Sequence, residues 1–241
     1  MAVVSQAPVD PRGSKHQPMQ IFSKLLPVAV SVVETRTELD AGPRFWQEDQ
    51  YVADAVEARQ REFRTVRICA RQALAQFGHG NHVLVPDKQR APVWPPNIVG
   101  SMTHAAGLRA AAVASTGDFS GIGIDAEPHQ ALPAEVVDMI LLPEEQRLAS
   151  ALQAEDPSIA WDKLMFSAKE SVFKTWYPLA RRWLDFLECE ITVGQQPGVF
   201  TARILQVNPV HSGVDLSVLG GKWVSESRVG DGLLATAITV R

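Results

Sequence analysis

The chain has 241 residues, 46% of them hydrophobic and 21% charged, with a formal net charge of −4. That is the composition of a soluble globular protein with a sizeable core, in one large domain or two small ones, and the acidic balance argues against a general nucleic-acid binder, which needs a basic excess to neutralise phosphates. Cys69 and Cys189 are too few for a disulfide framework and too distant for a CxxC motif, and the apolar run from Leu25 to Val33 falls far short of the roughly 20 residues of a membrane span, so a cytoplasmic protein with no membrane partner is expected.

Residues 1–20 mix Pro, Gly, Ser and Gln without apolar periodicity and read as a disordered tail. The stretch "LLPVAVSVVETR" (25–36) has the β-branched content of a strand. From about Glu48 to Phe77 the apolar residues Val52, Val56, Phe63, Val66, Ala70, Ala73, Leu74 and Phe77 recur at steps of three and four, which predicts one long amphipathic helix stopped by Gly78. "HVLVPDKQRAPVWPPN" (82–97) begins as a short strand and becomes a Pro-rich, basic loop. "IVGSMTHAAGLRAAAVAS" (98–115) reads as a pair of short strands around a turn at Gly107.

"GIGIDAEP" (121–128) is a strand that carries Asp125 and Glu127 two residues apart, hence on one face. "LPAEVVDMILLPEEQRLASAL" then suggests one or two short helices broken at Pro143. A second strong helix is predicted from Pro157 and Ser158 through Trp183, with Trp161, Leu164, Met165, Ala168, Val172 and Trp176 along one stripe and a possible break at Pro178. Residues 186–241 read as antiparallel strands with turns at "VGQQPG", "LGGK" and "VGDG". "GLRAAAV" (107–113) is echoed by "GLLATAI" (232–238), which points to two similar halves.

The chemistry concentrates in few places. Two carboxylates on one strand face repel unless a cation sits between them. On the second helix, "FSAKESVFK" (166–174) places Glu170 and Lys174 four apart, with Lys169 about 100° round the helix from Glu170. Taken alone, Glu170 and Lys174 describe a surface ion pair. Taken together, Asp125, Glu127 and Glu170 are the hard oxygen donors that Mg²⁺ prefers, and Lys169 and Lys174 would neutralise the phosphates of a pyrophosphate substrate. "GSMTH" (100–104) sets hydroxyls and an imidazolium at a strand-to-turn junction able to bind an anion, although turn chemistry and a partly buried His would explain it too. Arg59, Arg61, Arg64, Arg67 and Arg71 crowd the first helix, most of them as a solvated face; Arg59 and Arg67 lie about 80° apart around it, so that one phosphate could draw both. No P-loop, dinucleotide fingerprint, HExxH or GxSxG is present.

The segments "EFRTVRICARQAL", "GSMTHAAGLRAAAVA", "GIGIDAEP" and "FSAKESVFK", in this order, closely resemble 4′-phosphopantetheinyl transferases of the Sfp and EntD type, in their actinobacterial branch. The resemblance implies an α+β fold of two similar α/β subdomains related by a pseudo-twofold axis, each a small, mainly antiparallel sheet on a long helix, here placed at 21–123 and 124–241. It implies coenzyme A as substrate, Mg²⁺ (Mn²⁺ possible) as cofactor, and an apo acyl or peptidyl carrier protein as partner of a monomer. By motif position, Asp125, Glu127 and Glu170 match the metal-binding acids, with Glu170 also the family's candidate for the catalytic base, or else a metal-bound water held by Glu127. Lys169 and Lys174 match the lysines near the pyrophosphate. Ser101 and His104 match residues near the 3′-phosphate, as do Arg59 and Arg67, with Gln60 leaving Arg59 against Arg61 open. The cation that relatives carry before the Pro-Trp loop corresponds to Lys88 or Arg90. Met139, Leu141, Leu142, Met165 and Arg147 are candidates for carrier contact, or else core. A Mg²⁺-dependent phosphodiesterase and a non-catalytic coenzyme A or carrier-binding module are the competing readings.

Overall fold

A computed structural model describes residues 21–40, 44–105, 107–194, 196–205, 209–211, 213–226 and 232–241. The tail expected at 1–20 and most of the "VGDG" turn lie outside the described residues. The first half opens with α1 (Phe22–Leu25) and β1 (Ser31–Thr35), followed by α2 (Trp46–Asp49), a 3₁₀ turn (Gln50–Val52) and α3 (Glu57–Ala75), then β2 (Ile98–Ala105) and β3 (Leu108–Ser115). The second half holds β4 (Gly121–Pro128), α4 (Ala134–Ile140), α5 (Pro143–Glu155), α6 (Trp161–Ala180), a 3₁₀ turn (Phe186–Glu188) and then β5 (Cys189–Val193), β6 (Val199–Ile204), β7 (Val210–His211), β8 (Val214–Asp215), β9 (Val218–Glu226) and β10 (Leu233–Val240).

Both main sheets are antiparallel, in the orders β1-β3-β2 and β4-β10-β9-β6-β5. The echoed segments are inner strands of the two sheets, β3 and β10. Each carries a long helix on one face. Cys69, Ala70, Ala73 and Leu74 of α3 pack on Ala111 and Val113 of β3, and Leu164, Ala168 and Val172 of α6 join Leu234 and Ile238 of β10 in one core. The opposite faces meet each other: Ala110, Ala112 and Ala114 of β3 share a core with Ile122 and Ile124 of β4 and Ala235 of β10. Small side chains on β3 suit a strand buried on both faces, where alternation disappears.

β2 and β4 lie side by side without a main-chain ladder. Ser101 Oγ accepts the Ile124 N–H at 3.1 Å and Thr103 Oγ1 accepts the Ala126 N–H at 3.2 Å, so hydroxyls of one sheet satisfy the edge of the other.

Several boundaries differ from the sequence expectation, each for a local reason. The stretch 25–36 is a strand only from Ser31, because α1 and a turn at Pro27 take up its start. The helix expected from Glu48 to Phe77 is broken: Val56 is extended, and the separate turn at 46–49 carries Glu48 inward to accept from Arg71 Nη1 and the Leu84 N–H. It does end where expected, with Gly78 at φ +79°. Residues 82–97 form no strand, only an isolated bridge between Pro86 and Pro92. α6 starts at Trp161, because Asp156 Oδ1 caps a tight turn at the Ser158 N–H, and it ends past Pro178 with Arg181 left-handed at φ 52°. "LGGK" lies inside β9, where the Phe200 ring fills the space a Gly221 side chain would need.

Candidate active site

The site grows from the way α6 lies on β4. On the strand face turned to the helix stand Gly121, Gly123, Asp125 and Glu127. A Cβ on Gly123 would come 2.0 Å from the Ser171 carbonyl oxygen and 2.3 Å from Thr175 Oγ1, so only glycine lets the helix backbone approach this closely. Along the facing side of α6, Lys163, Ser167, Glu170 and Lys174 recur at steps of three and four, with Ser171 four residues after Ser167. Lys174 Nζ donates to Asp125 Oδ1 at 2.7 Å and to the Ile124 carbonyl at 3.1 Å, and Lys163 Nζ reaches Glu127 Oε2 at 3.4 Å.

The electrostatics are those of crowded acids. Burial first, and then the charge of Asp125, pushes the Glu170 carboxyl up to about 7, with Lys174 opposing and Glu127 adding to the rise. Burial and Asp125 raise Glu127 as well, while Lys163 and Lys174 hold it down. Asp125 is buried, and its Oδ2 has no hydrogen-bond partner although Thr103 Oγ1 donates to Oδ1 at 3.4 Å. Three mutually repelling carboxylates, one with an orphaned oxygen, suit a hard divalent cation. With lysines clasping Asp125 and Glu127, no three His, Cys, Asp or Glu side chains among the described residues stand as a metal-binding group.

Beside these acids opens a cavity of about 620 Å³ between the two halves. Arg59 and Arg67 of α3, Arg90 of the preceding loop, and Ser101 and His104 of β2 line it from one side, and Glu170 and Lys174 from the other. Tyr51, Phe63, Trp94, Met102, Phe173 and Tyr177 supply its apolar walls. The structure thus brings together most of the residues singled out in the sequence, in differing states. Arg59 Nη1 donates to His104 Nε2; burial, and then Arg59, lowers the His104 pKa and favours the neutral imidazole, with Glu62 at 3.6 Å opposing. Arg59 also pairs with Glu62 at 3.5 Å. Arg61 turns outward to Glu38 and Glu57 and does not line the cavity, whereas Arg59 does. Arg67 is buried, donates to the carbonyls of Leu84 and Phe63, and lies over the Phe63 ring; burial pushes it down to about 10. Arg90 lines the cavity, whereas Lys88 is exposed beside it.

Lys169 requires a correction. It is buried, and its ammonium is consumed by Glu145 Oε2 at 2.7 Å, the Phe186 carbonyl at 2.8 Å and the Ile140 carbonyl at 2.9 Å. The turn of about 100° from Glu170 carries it out of the cavity into the core behind α6. Among the residues considered for carrier contact, Leu141 and Met165 are core, Met139 is exposed, and Arg147 is exposed and paired with Glu144. Sequence reasoning passed over Lys163, which was accessible to it because it continues the row of Glu170 and Lys174; Thr103, counted there among hydroxyls for an anion, instead receives the Ala126 N–H and donates to Asp125.

Comparison with known proteins converges on the same segments. The family described as 4′-phosphopantetheinyl transferase N-terminal domain matches residues 47–114, and the 4′-phosphopantetheinyl transferase superfamily matches residues 121–221. The chain is 48% identical over 196 residues to the 4′-phosphopantetheinyl transferase Svp of Streptomyces mobaraensis, covering 81% of this chain and 78% of that one. It is 38% identical over 229 residues to the 4′-phosphopantetheinyl transferase Npt of Nocardia iowensis, with 90% and 99% covered. Against the 4′-phosphopantetheinyl transferase PptT of Mycobacterium tuberculosis it is 39% identical over 198 residues, with 80% and 85% covered.

Proposed function

The chain belongs to the 4′-phosphopantetheinyl transferase family, enzymes that move the phosphopantetheine arm of coenzyme A onto a serine of an apo carrier protein, and we propose that it does so in the cavity between α3, β2 and α6. The observation that carries this reading is the lining itself: Glu170 and Lys174 at one side, with Asp125 behind them on Lys174, and Arg59 and Arg90 at the other, around a space of about 620 Å³. A polyanion laid across it meets cations at both ends. Asp125, Glu127 and Glu170 are the residues that would hold Mg²⁺, or Mn²⁺, and the ion would supply neutralisation of the diphosphate.

The chain's own groups do the rest. Lys174 would offset the charge that accumulates as the phosphorus–oxygen bond to the leaving 3′,5′-ADP breaks and the carrier serine oxygen bonds to phosphorus. Glu170, whose carboxyl burial and Asp125 push up to about 7 without a metal ion, suits the role of base for the serine proton. Arg59, His104, Ser101 and Arg90 orient the far end of coenzyme A, and the aromatic walls exclude water. The cavity is completed within one chain, which supports a monomer, and both cysteines are free, which suits a reducing cytoplasm. No helix among the described residues is long and apolar enough to cross a membrane. In the same reading the two sheet-and-helix halves are the two subdomains.

The test is intact mass of an apo carrier protein after incubation with coenzyme A, with Mg²⁺ or with a chelator. Gain of the phosphopantetheine mass only with the divalent ion supports the reading. An unmodified carrier, with coenzyme A either hydrolysed or untouched, overturns it.

A further inference from the structure

The Pro-rich loop between α3 and β2 is built around one carboxylate. Asp87 Oδ1 accepts the N–H groups of Gln89 at 3.0 Å and Ala91 at 2.9 Å, while the main chain closes the turn from Asp87 N–H to the Ala91 carbonyl at 2.8 Å. Its other oxygen points across to the opposite half: Oδ2 accepts Tyr177 Oη at 3.1 Å and Arg181 Nη1 at 3.4 Å, both at the end of α6. Between these two attachments Arg90 is held in the left-handed region at φ 69° and lines the cavity. Asp87 itself does not line it.

A carboxylate beside a site for a polyanion is repulsive unless it has another task. Here both oxygens are spent on geometry, one shaping the loop and one tying it to the helix that also carries Glu170 and Lys174. We propose that Asp87 is a positioning residue for coenzyme A: it fastens the 85–93 loop to the end of α6 and so holds Arg90 against the substrate's phosphates. The inference rests on the reading of the cavity given above. It adds that the grip of the first half on the substrate is set by a tie to the second half.

Asn at this position keeps the first task and weakens the second, because its carbonyl can still accept from Gln89 and Ala91 while its amide offers Arg181 no acceptor and meets Tyr177 Oη only as a donor, with the Tyr177 hydroxyl left to Gln89 Oε1 at 3.4 Å. In steady-state assays with an apo carrier protein, Asp87→Asn and Asp87→Ala each raise KM for coenzyme A about tenfold, with kcat within about twofold of the wild type. Arg181→Ala, at an exposed position, raises KM about two- to threefold. In an Arg90→Ala background, Asp87→Ala adds less than about twofold, since it acts through Arg90. Full recovery of KM by Asp87→Asn, a fall in kcat at unchanged KM, or additivity with Arg90→Ala overturns the proposal. Calorimetric titration of each variant with coenzyme A alone must reproduce the same ranking. If the wild type does not modify the carrier, it is the family reading that fails; if the wild type is active and the variants break this pattern, it is the role of Asp87.

Discussion

Asp125 and Lys174 face each other across the contact of β4 with α6, Oδ1 to Nζ at 2.7 Å, and leave the second aspartate oxygen buried without a partner. One oxygen is matched and the other is not, so the pair is half of a larger arrangement. If Asp125 holds the divalent ion as proposed, replacing it by Ala removes one of three carboxylates from that site. Carrier modification by Asp125→Ala is expected to fall at least about a hundredfold, with the melting temperature little changed, as measured by rate and by thermal unfolding on the same preparation.

Glu170 should be visible in the pH dependence of the reaction. As the base it works ionised, so kcat/KM rises with pH through a limb that lies below the value of about 7 to which burial and Asp125 push the metal-free carboxyl, because a divalent cation held beside it favours the ionised form. Lys174 is the cation that holds that value down. Lys174→Met therefore shifts the limb to higher pH, besides slowing the reaction, and an unmoved limb would sink the assignment of the base.

The same group bears on stability. Its folded pKa lies above the unfolded one, so the folded state binds more protons between about pH 4.5 and 7, and stability falls as pH rises through that window. Glu170→Gln removes the penalty: it stabilises the chain by about 1–3 kcal/mol at pH 8 and by close to nothing at pH 4.5. Urea unfolding at the two pH values, without divalent ions, measures the difference.

Gly123→Ala is expected to be severe. The new Cβ would sit 2.0 Å from the Ser171 carbonyl, against helix backbone that has nowhere to move. A loss of about 3 kcal/mol or more is expected in urea unfolding, with activity lost beyond what unfolding explains because Glu170 and Lys174 are displaced from Asp125.

Lys169→Ala separates a core lysine from a substrate-binding one. It leaves Glu145 charged and buried without its partner, at a cost of about 3–5 kcal/mol, whereas KM for coenzyme A in the protein that remains folded is unchanged. Pairing Lys169→Met with Glu145→Gln should recover part of the stability. A large rise in KM at normal stability would return Lys169 to the substrate site.

Much of this was legible in the residues because strand and helix periodicities are short-range. The alternation of Gly123, Asp125 and Glu127 follows from a period of two, and the facing of Glu170 and Lys174 from a step of four. Lys169 was misplaced because adjacency in sequence is a turn of about 100° on a helix, enough to exchange cavity for core. The break before Val56 was hidden because its cause is tertiary: Glu48 is drawn to Leu84 and Arg71, which no local pattern announces. Asp87 was hidden for the same reason, its partners Tyr177 and Arg181 being 90 and 94 residues away.

The two hydroxyls of Ser101 and Thr103 that receive the amides of β4 make the join between the halves a riveted seam, and not a woven one. Each rivet holds with about 1 kcal/mol; Ser101 is itself part of the cavity wall, and Thr103 reaches Asp125. The spacing of the jaws that grip the substrate is therefore written in a serine and a threonine. Trimming those side chains would alter the bite of the enzyme while leaving each sheet whole.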